Sequence, residues 1–257
     1  KLFLLPNVGK RPQNGIGERV ETRRFCFYLR YFMATMNVVE EKAALDAQQF
    51  HWELMFSKNR EMFGAAPSRA AIEAVKIFRR NNCRKILELG SGQGRDTFNF
   101  AHSGFNVTAM DYSETASKAI RSRAGALGVA HAVRAICRDV RQPMPFDDAS
   151  FDACFSHMLF CMALRDEEIE RIAAEVCRVL RPGGIHVYTV RHTGDAHYKA
   201  GVHHGEDIYE MGKFIVHFFS RKKVQDLAGG YEVLEIDEFE EGALPRKLFR
   251  VTMQKKD

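Results

Sequence analysis

Short apolar runs alternate with longer stretches of helical spacing through most of the chain after Lys85. This alternation is typical of a parallel sheet whose strands are joined by crossover helices. It predicts strands at 85–89, 106–111, 132–137, 151–156, 185–190, 231–239 and 247–254, with helices at 96–102, 113–127 and 166–180. Only residues 240–246 separate the last two strands, which favours an antiparallel hairpin. We therefore expect a doubly wound α/β fold, with a seven-stranded sheet whose last strand is antiparallel and helices on both faces.

The segment before the first strand has a helical pattern. One helix is predicted around 41–56, and Ser68 is predicted to cap the start of a second, after a turn at 64–67. Trp52, Phe56 and Phe63 form an aromatic group that core or lid packing would explain without any function. We expect residues 36–84 to form a helical cap on a domain that spans 36–257.

Residues 1–35 differ from the rest of the chain. They show no steady period, and they hold seven basic and two acidic side chains, so the whole formal charge of +5 lies there. We interpret this stretch as a flexible or foreign N-terminal extension, with an organelle transit peptide as the alternative. The remaining residues are formally neutral, which argues against a nucleic-acid partner because grooves that follow a nucleic-acid backbone are basic.

The composition also bears on location. At 257 residues with 46% hydrophobic content, the chain can bury the core of one large domain. No apolar run approaches the length of a membrane span, so we expect no membrane partner. The six cysteines are scattered without a C-x-x-C pair, which indicates reduced thiols and a cytoplasmic location. The sequence leaves the oligomeric state open.

A glycine-rich loop follows the first predicted strand directly. Residues 88–94 read Glu-Leu-Gly-Ser-Gly-Gln-Gly and lead into a helix. Gly90, Gly92 and Gly94 let the backbone turn sharply and approach a ligand closely at the carboxyl end of the sheet. A dinucleotide-binding fingerprint would need a further glycine where Arg95 stands. The loop therefore favours a cofactor without a pyrophosphate.

Acidic residues end the next two predicted strands. At the tip of the second strand, Asp111 could accept hydrogen bonds from both ribose hydroxyls of a nucleoside, or it could merely cap the following helix. Asp139 follows the third strand and could accept from an adenine amino group, or serve only as a turn residue. Together with the glycine loop, these positions predict a nucleoside-binding edge of the sheet.

These segments resemble the class I S-adenosylmethionine-dependent methyltransferase family over about residues 85–190, including the turn after the last helix at 178–184. The resemblance implies a Rossmann-like fold and S-adenosyl-L-methionine as the cofactor. It implies that Glu88 and the glycine loop face the methionine part, and that Phe155, Ser156 and His157 lie beneath the methyl group. The cofactor-binding residues expected on this basis are Glu88, Gly90, Ser91, Gly92, Gly94, Asp111, Tyr112, Asp139, Val140 and Ser156.

The tip of the fourth strand indicates the kind of acceptor. Family members that methylate planar nitrogens of adenine or glutamine share an Asn/Asp-Pro-Pro-aromatic run there, whereas this chain has Ser-His-Met-Leu-Phe at 156–160. The tip looks like that of enzymes acting on small molecules, including thiol, metalloid and quinone-precursor enzymes. We therefore expect methyl transfer to a small-molecule thiol, metalloid, hydroxyl or amine. The alternatives are a protein or RNA methyltransferase, or a non-catalytic module that binds S-adenosylmethionine.

Histidines supply the candidate catalytic groups. Methyl transfer is an in-line displacement that depends on alignment, and a base is needed only when the nucleophile carries a proton. His157, at a strand tip, is expected to be that base or to orient the substrate, unless it only packs beneath the cofactor. His192 is the second candidate catalytic residue.

Polar and aromatic residues crowd the stretch 191–212 after the fifth strand. Loops at this edge of a sheet carry specificity, so residues 191–220 are expected to form a lid or substrate insertion, with a solvated loop as the alternative. No metal is expected, because the histidine spacings do not repeat known ligand patterns. The candidate substrate residues are Trp52, Phe56, Phe160, His197 and Tyr198.

Overall fold

A computed structural model describes residues 43–242 and 246–257, so the expectation for residues 1–35 lies outside the described residues. The stretch from Leu45 to Asp257 forms one compact unit. Its helices are α1 (Gln48–Lys58), α2 (Arg69–Arg80), α3 (Arg95–His102), α4 (Glu114–Ala126), α5 (Asp166–Val179) and α6 (Arg221–Asp226). Its strands are β1 (Lys85–Leu89), β2 (Asn106–Asp111), β3 (Val133–Cys137), β4 (Phe151–His157), β5 (Leu180–Arg191), β6 (Val202–His203), β7 (Ile208–Met211), β8 (Phe214–His217), β9 (Tyr231–Glu241) and β10 (Arg246–Lys255).

Seven strands form the main sheet, in the order β3-β2-β1-β4-β5-β10-β9. β1 pairs in parallel with β2 and with β4, so Leu89 lies beside Met110 on one side and Ser156 on the other. β10 runs antiparallel to both of its neighbours, β5 and β9. Six strands therefore point one way and one is reversed, which confirms the predicted architecture. The strand order changes direction between β1 and β4, and in such sheets ligands bind at the carboxyl ends beside that point.

Each face of the sheet is covered by an apolar layer. On one face the strands pack against α2, α3 and α4, whose inward side chains include Ala74, Phe100 and Ile120. On the other face they pack against α5 through side chains such as Ile172 and Val176. Because close-packed layers have low compressibility, the strand tips that border the site are held at fixed positions.

Serine side chains begin two of the helices beside the sheet. Ser68 Oγ accepts a hydrogen bond from the backbone N–H of Ala71 at 3.0 Å, as its position before an alanine-rich run predicts. Ser113 Oγ accepts from the N–H of Ala116, also at 3.0 Å. Each cap satisfies a backbone donor that the helix itself leaves unpaired, and so fixes where α2 and α4 begin. Within the predicted helical stretch 41–56, residues 43–46 are helical, and helix α1 follows after a turn at residue 47 and continues to Lys58.

Residues 202–217 form a second sheet of three antiparallel strands, in the order β6-β7-β8. The sequence predicted a loop here, and for these residues that prediction was wrong. The strands have two to four residues each, which is too short for an alternating pattern to be visible in the sequence. The small sheet is joined to the main one where the N–H of Phe219 donates to the carbonyl of Arg191 at 2.8 Å.

The described cysteines, Cys83, Cys137, Cys154, Cys161 and Cys177, are free thiols, and Cys26 lies outside the described residues. Among the residues that the structure describes, no helix combines the length and the apolar character needed to cross a membrane.

Candidate active site

A cavity of about 550 Å³ opens at the edge where β1, β2 and β4 end. Its walls are the glycine loop after β1, helix α1, the segment after β4, the β7–β8 hairpin and the facing ends of β9 and β10. Ligands of doubly wound folds bind at this edge. Of the residues predicted from the sequence, the cavity lining includes Trp52, Phe56, Glu88, Gly90, Ser91, Gly92, Asp111, Tyr112, Asp139, Val140, His157 and His197.

The glycine loop is shaped by hydrogen bonds to the neighbouring strand. The N–H of Gly90 donates to the carbonyl of Met110, and the N–H of Gly92 donates to Oδ2 of Asp111, both at 2.8 Å. Gly90 has a φ of +68°, and a Cβ at this position would lie 3.1 Å from the side chain of Leu159. Only glycine satisfies both the dihedral angle and the space, so the loop backbone itself forms the cavity wall here.

Glu88 places a buried acid at the end of β1. Its carboxylate accepts a hydrogen bond from the hydroxyl of Thr97 at 2.5 Å. Burial, reinforced by the nearby charge of Asp96, raises the pKa of Glu88 well above its ordinary value. A cation bound beside it would favour the ionised form, and the ammonium group of a methionine moiety is such a cation.

Asp111 is the buried acid at the tip of β2, where it is 6% exposed. Its Oδ1 accepts from the N–H of Ser113 at 2.9 Å, while Oδ2 is held by the glycine loop. Burial raises the pKa of Asp111 to about 6, although the hydrogen bonds from Ser113 and Gly92 oppose the rise. Each oxygen keeps a lone pair, so the group can accept hydrogen bonds from a ribose in the cavity.

Asp139 lines the cavity and also shapes the turn after β3. The N–H of Arg141 donates to Oδ1 of Asp139 at 2.9 Å, so Asp139 stabilises this turn. This is the turn role that the sequence left open as an alternative. The guanidinium of Arg141 binds both carboxylate oxygens, with Nη2 2.7 Å from Oδ2. Arg141 also contacts Asp46, which precedes α1. Asp139 is therefore fixed in orientation before any ligand binds.

Helix α1 covers the cavity and is tied to its walls by two polar side chains. Glu53 accepts a hydrogen bond from the hydroxyl of Ser113 at 2.5 Å. The side-chain amide of Gln93, in the glycine loop, donates to the carbonyl of Asn59 at 2.6 Å, just past the helix. Sequence reasoning missed both residues, because a single Glu in a helix and a Gln between glycines carry no recognisable signal. The helix is thus attached to the same two segments that would hold the cofactor.

Aromatic side chains connect this helix with the small sheet. The Trp52 ring lies 5.7 Å from Phe56 and 5.7 Å from Phe214 of β8, measured between ring centroids. The side chain of Gln48 donates to the carbonyl of Lys213 at 3.2 Å, alongside the aromatic contact. These contacts bring α1 and β8 together over the cavity.

His157 and Glu241 form a polar pair at the other end of the cavity. Nε2 of His157 lies 3.1 Å from Oε2 of Glu241, at the end of β9. Nδ1 of the same ring lies 3.0 Å from Oγ1 of Thr189 on β5. Glu241 was not a sequence candidate, because it is one of several acidic residues near the end of its strand. The structure reveals it as a lining residue only because β9 ends beside β10 at this edge.

Arg191 adds a buried cation to the cavity lining, with 5% of its surface exposed. Its Nη2 lies 2.5 Å from Oδ1 of Asp195 and 2.8 Å from Nδ1 of His197. Since the guanidinium can only donate, Nδ1 of His197 accepts and the ring carries its proton on Nε2. Arg191 and His197 both line the cavity.

Five predicted site residues do not line the cavity. Gly94 has a φ of +88°, and a Cβ there would lie 2.8 Å from Ile120 in the apolar layer. Ser156 is fully buried within the sheet. The other three pack elsewhere: Phe160 against His186 and Tyr188, Tyr198 against Phe218 with a hydrogen bond to Asp207, and His192 stacked on Phe249.

One group of potential metal ligands occurs in the described part of the chain: Asp166, Glu206 and His217. It lies outside the cavity lining. The ammonium of Lys223 contacts both Asp166 and His217, so a protein cation already neutralises the group.

The central part of the chain matches a known protein family. Residues 86–184 match the family described as a methyltransferase domain. The match begins in β1 and ends in β5, so it includes the glycine loop and the tips of β2, β3 and β4.

Two named relatives align with part of the chain. The chain is 33% identical to phosphoethanolamine N-methyltransferase 1 of Triticum aestivum over 106 residues, which is 41% of this chain and 20% of the relative. It is 31% identical to sarcosine/dimethylglycine N-methyltransferase of Halorhodospira halochloris over 105 residues, 40% of this chain and 36% of that relative. The alignments thus span between a fifth and about a third of the relatives' length.

A solved structure extends the similarity to most of the chain. The fold matches 1,6-didemethyltoxoflavin-N1-methyltransferase of Burkholderia thailandensis, described with its substrate and S-adenosylhomocysteine bound, with a TM-score of 0.64. The sequences are 19% identical, and the match covers 85% of this chain and 90% of that one, so it supports the fold alone. The matched residues 86–184 therefore form a methyltransferase domain within a Rossmann-like fold, and the cofactor that this domain indicates is S-adenosylmethionine.

Proposed function

We propose that this chain transfers the methyl group of S-adenosylmethionine to a small-molecule nucleophile. One observation carries the proposal: a single cavity joins the glycine loop and Asp111 at one end to His157 and Glu241 at the other. Groups suited to a nucleoside cofactor and groups suited to a polar acceptor therefore line the same cavity. When bound, S-adenosylmethionine supplies a methyl group on a positively charged sulfur, from which a nucleophile can displace it in line.

The residues at the glycine-loop end fit this cofactor chemically. Glu88 is a buried acid that a neighbouring ammonium group would stabilise in its ionised form. Asp111 keeps free lone pairs for ribose hydroxyls, and the backbone at Gly90 leaves room for a closely packed ligand. Charge, hydrogen-bonding capacity and space thus agree with the methionine and ribose parts of the cofactor that these residues would contact.

Apolar side chains surround the acceptor end of the cavity. They come from the segment after β4 and from the β7–β8 hairpin, and they include Met158, Met162, Met211 and Ile215. Such walls exclude water, which strengthens the polar interactions inside and protects the reacting groups from competing hydrolysis. The main contributions of the protein would then be alignment and desolvation.

The cover formed by α1 limits the size of the acceptor. Gln48 bonds to the backbone of Lys213, and Trp52 packs on Phe214, so the helix and β8 meet over the cavity. A protein loop or an RNA strand would need these contacts to open, whereas a small molecule fits inside. The names of the two relatives, which refer to phosphoethanolamine and to sarcosine and dimethylglycine, agree with a small acceptor.

Release of S-adenosylhomocysteine by the purified chain tests the proposal. Thiols, phenols, amines and metalloids are supplied one class at a time, and we expect turnover with at least one class. Asp111→Ala should lower that turnover at limiting cofactor, while Glu170→Ala, at an exposed position on α5, should not. Cofactor binding in calorimetry with no product from any class would refute methyl transfer and leave the binding-module alternative.

A further inference from the structure

We propose that the acceptor is an amine, and that its nitrogen donates a hydrogen bond to the carboxylate of Glu241, which His157 holds in place. This inference rests on the proposed methyl transfer and adds the chemical class of the acceptor. It makes Glu241 the group that touches the acceptor and His157 a positioning residue.

Both ring nitrogens of His157 are already engaged by the protein. Oγ1 of Thr189 lies 3.0 Å from Nδ1 and also accepts the N–H of Met158 at 2.9 Å. Thr189 is fully buried, so its hydroxyl hydrogen needs an acceptor, and Nδ1 supplies one. Because Nδ1 accepts, the proton of the ring is assigned to Nε2. Nε2 then donates a hydrogen bond to Glu241 over 3.1 Å.

This assignment leaves His157 without a nitrogen for the acceptor, whereas Glu241 keeps a free oxygen. Its Oε2 receives the bond from His157, and within residues 43–242 and 246–257 no hydrogen bond reaches Oε1. The Glu241 side chain is 23% exposed and lines the cavity. The carboxylate is therefore oriented by one oxygen and available through the other.

The surroundings keep this carboxylate ionised. The hydrogen bond from His157 lowers the pKa of Glu241, and the charges of Arg95 and Arg246 add to the effect, which outweighs the burial that would raise it. A carboxylate with a lowered pKa is a weak base, so it is poorly suited to remove a proton from a hydroxyl group. It is well suited to stabilise a neighbouring group that gains positive charge.

Methyl transfer to an amine creates such a charge. The nitrogen lone pair forms the new N–C bond while the C–S bond breaks and its electron pair stays on sulfur, so the nitrogen becomes a methylated ammonium. Its remaining N–H group then faces the ionised Glu241, and the attraction grows as the reaction proceeds, which lowers the barrier. The neutral amine is the reacting form, so an ammonium substrate first gives a proton to water. No base is required during the transfer itself, and the methylated product can lose a further proton to water afterwards.

Acceptors that share a carbon skeleton test the chemical class. Benzylamine is compared with benzyl alcohol, and hexylamine with hexanol, using the full chain and S-adenosylmethionine. We expect turnover of the amines and not of the alcohols. Glu241→Gln should lower kcat/KM for the amine by roughly ten- to a hundredfold, the effect of losing a hydrogen bond to a charged group. Glu240→Gln, at an exposed position on the same strand, should leave it unchanged.

Binding without turnover separates this inference from the proposed function. Calorimetry measures benzylamine and hexylamine against the complex with S-adenosylhomocysteine. The amine site is supported if Glu241→Gln weakens amine binding and Glu240→Gln does not. This holds even if no amine is methylated, because the absence of methylation refutes only the proposed reaction. The inference is overturned if alcohols are the preferred acceptors, if no amine binds, or if Glu241→Gln binds amines as the parent does.

The positioning role of His157 has its own readout. His157→Phe removes the donor to Oε2, so the pKa of Glu241 should rise, as followed by carbon NMR of its carboxyl group. The amine KM should rise in parallel. An unchanged Glu241 titration in this variant would show that His157 does not hold the carboxylate.

Discussion

Replacing Asp111 by alanine is expected to weaken S-adenosylhomocysteine binding by roughly 1–3 kcal/mol, the range for removing a partner from buried hydrogen bonds. It should also remove a dependence of the affinity on pH. Asp111 is 6% exposed and already accepts hydrogen bonds from the N–H groups of Gly92 and Ser113. The fold should survive, because the side chain lies at a strand tip and outside the apolar layers.

The pH dependence follows from the pKa of Asp111, which burial raises from 3.8 to about 6. A shift of that size corresponds to about 3 kcal/mol of preference for the protonated form. Ribose hydroxyls donate to the ionised form, so protons compete with the ligand and affinity should fall as the pH drops below about 6. For folding the sign is opposite: the group contributes stability below pH 3.8 that is lost as the pH rises through about 6.

Calorimetry of S-adenosylhomocysteine binding on both sides of that pH checks the reasoning. The parent chain and Glu170→Ala should bind more weakly on the acid side, and Asp111→Ala should bind weakly at every pH. Unchanged affinity in Asp111→Ala would remove this residue from the cofactor site. An equal pH slope in all three proteins would show that another group controls binding.

Four further substitutions test other parts of the structure. His197→Ala should lower turnover while His192→Ala leaves it unchanged, because only the first ring lines the cavity; equal losses in kinetic assays would contradict this. Glu53→Gln should weaken S-adenosylhomocysteine binding in calorimetry and lower the melting temperature, because Ser113 and Thr115 lose a charged partner; unchanged binding would show that α1 needs no such anchor. His186→Phe should raise the free energy of unfolding by about 1 kcal/mol or more, because both buried ring nitrogens lack partners in the described structure. Burial lowers the pKa of His186 to about 3, so this residue reduces the free energy of unfolding as the pH falls from 6.5 towards 3. In denaturant titrations, the free energy of unfolding of His186→Phe should therefore depend less on pH in this range than that of the parent. A destabilised variant with the same pH dependence as the parent would contradict this.

The main sheet could be predicted from the sequence because its strands are long enough to show their pattern. Strands β1 and β2 have the predicted bounds, since each runs from a polar residue through buried positions to a turn. The strands at 202–217 could not be found in the same way, because two to four residues do not establish a period. Their position depends on contacts with β5 and with the segment after β4, which are distant in sequence.

The site residues also differ in whether the sequence alone indicates them. Glu88, the glycine loop and Asp111 are close in sequence to the strands that position them, so a local motif was enough to find them. Glu241 was not found, because nothing in an acidic strand end indicates that a histidine from β4 lies beside it. His192 was chosen for its chemistry, but stacking on Phe249 directs its ring away from the cavity lining. Residues whose role depends on pairing across the sheet require the structure.

The most direct test of the account follows the methyl group itself. The chain is incubated with S-adenosylmethionine carrying a deuterated methyl group and with the panel of small acceptors, and mass spectrometry examines both the acceptors and the protein. We expect the label on a small molecule, in an amount equal to the S-adenosylhomocysteine formed, and a much slower transfer in Asp111→Ala. Cofactor that binds and stays unreacted with every acceptor, or label found only on protein, would contradict it.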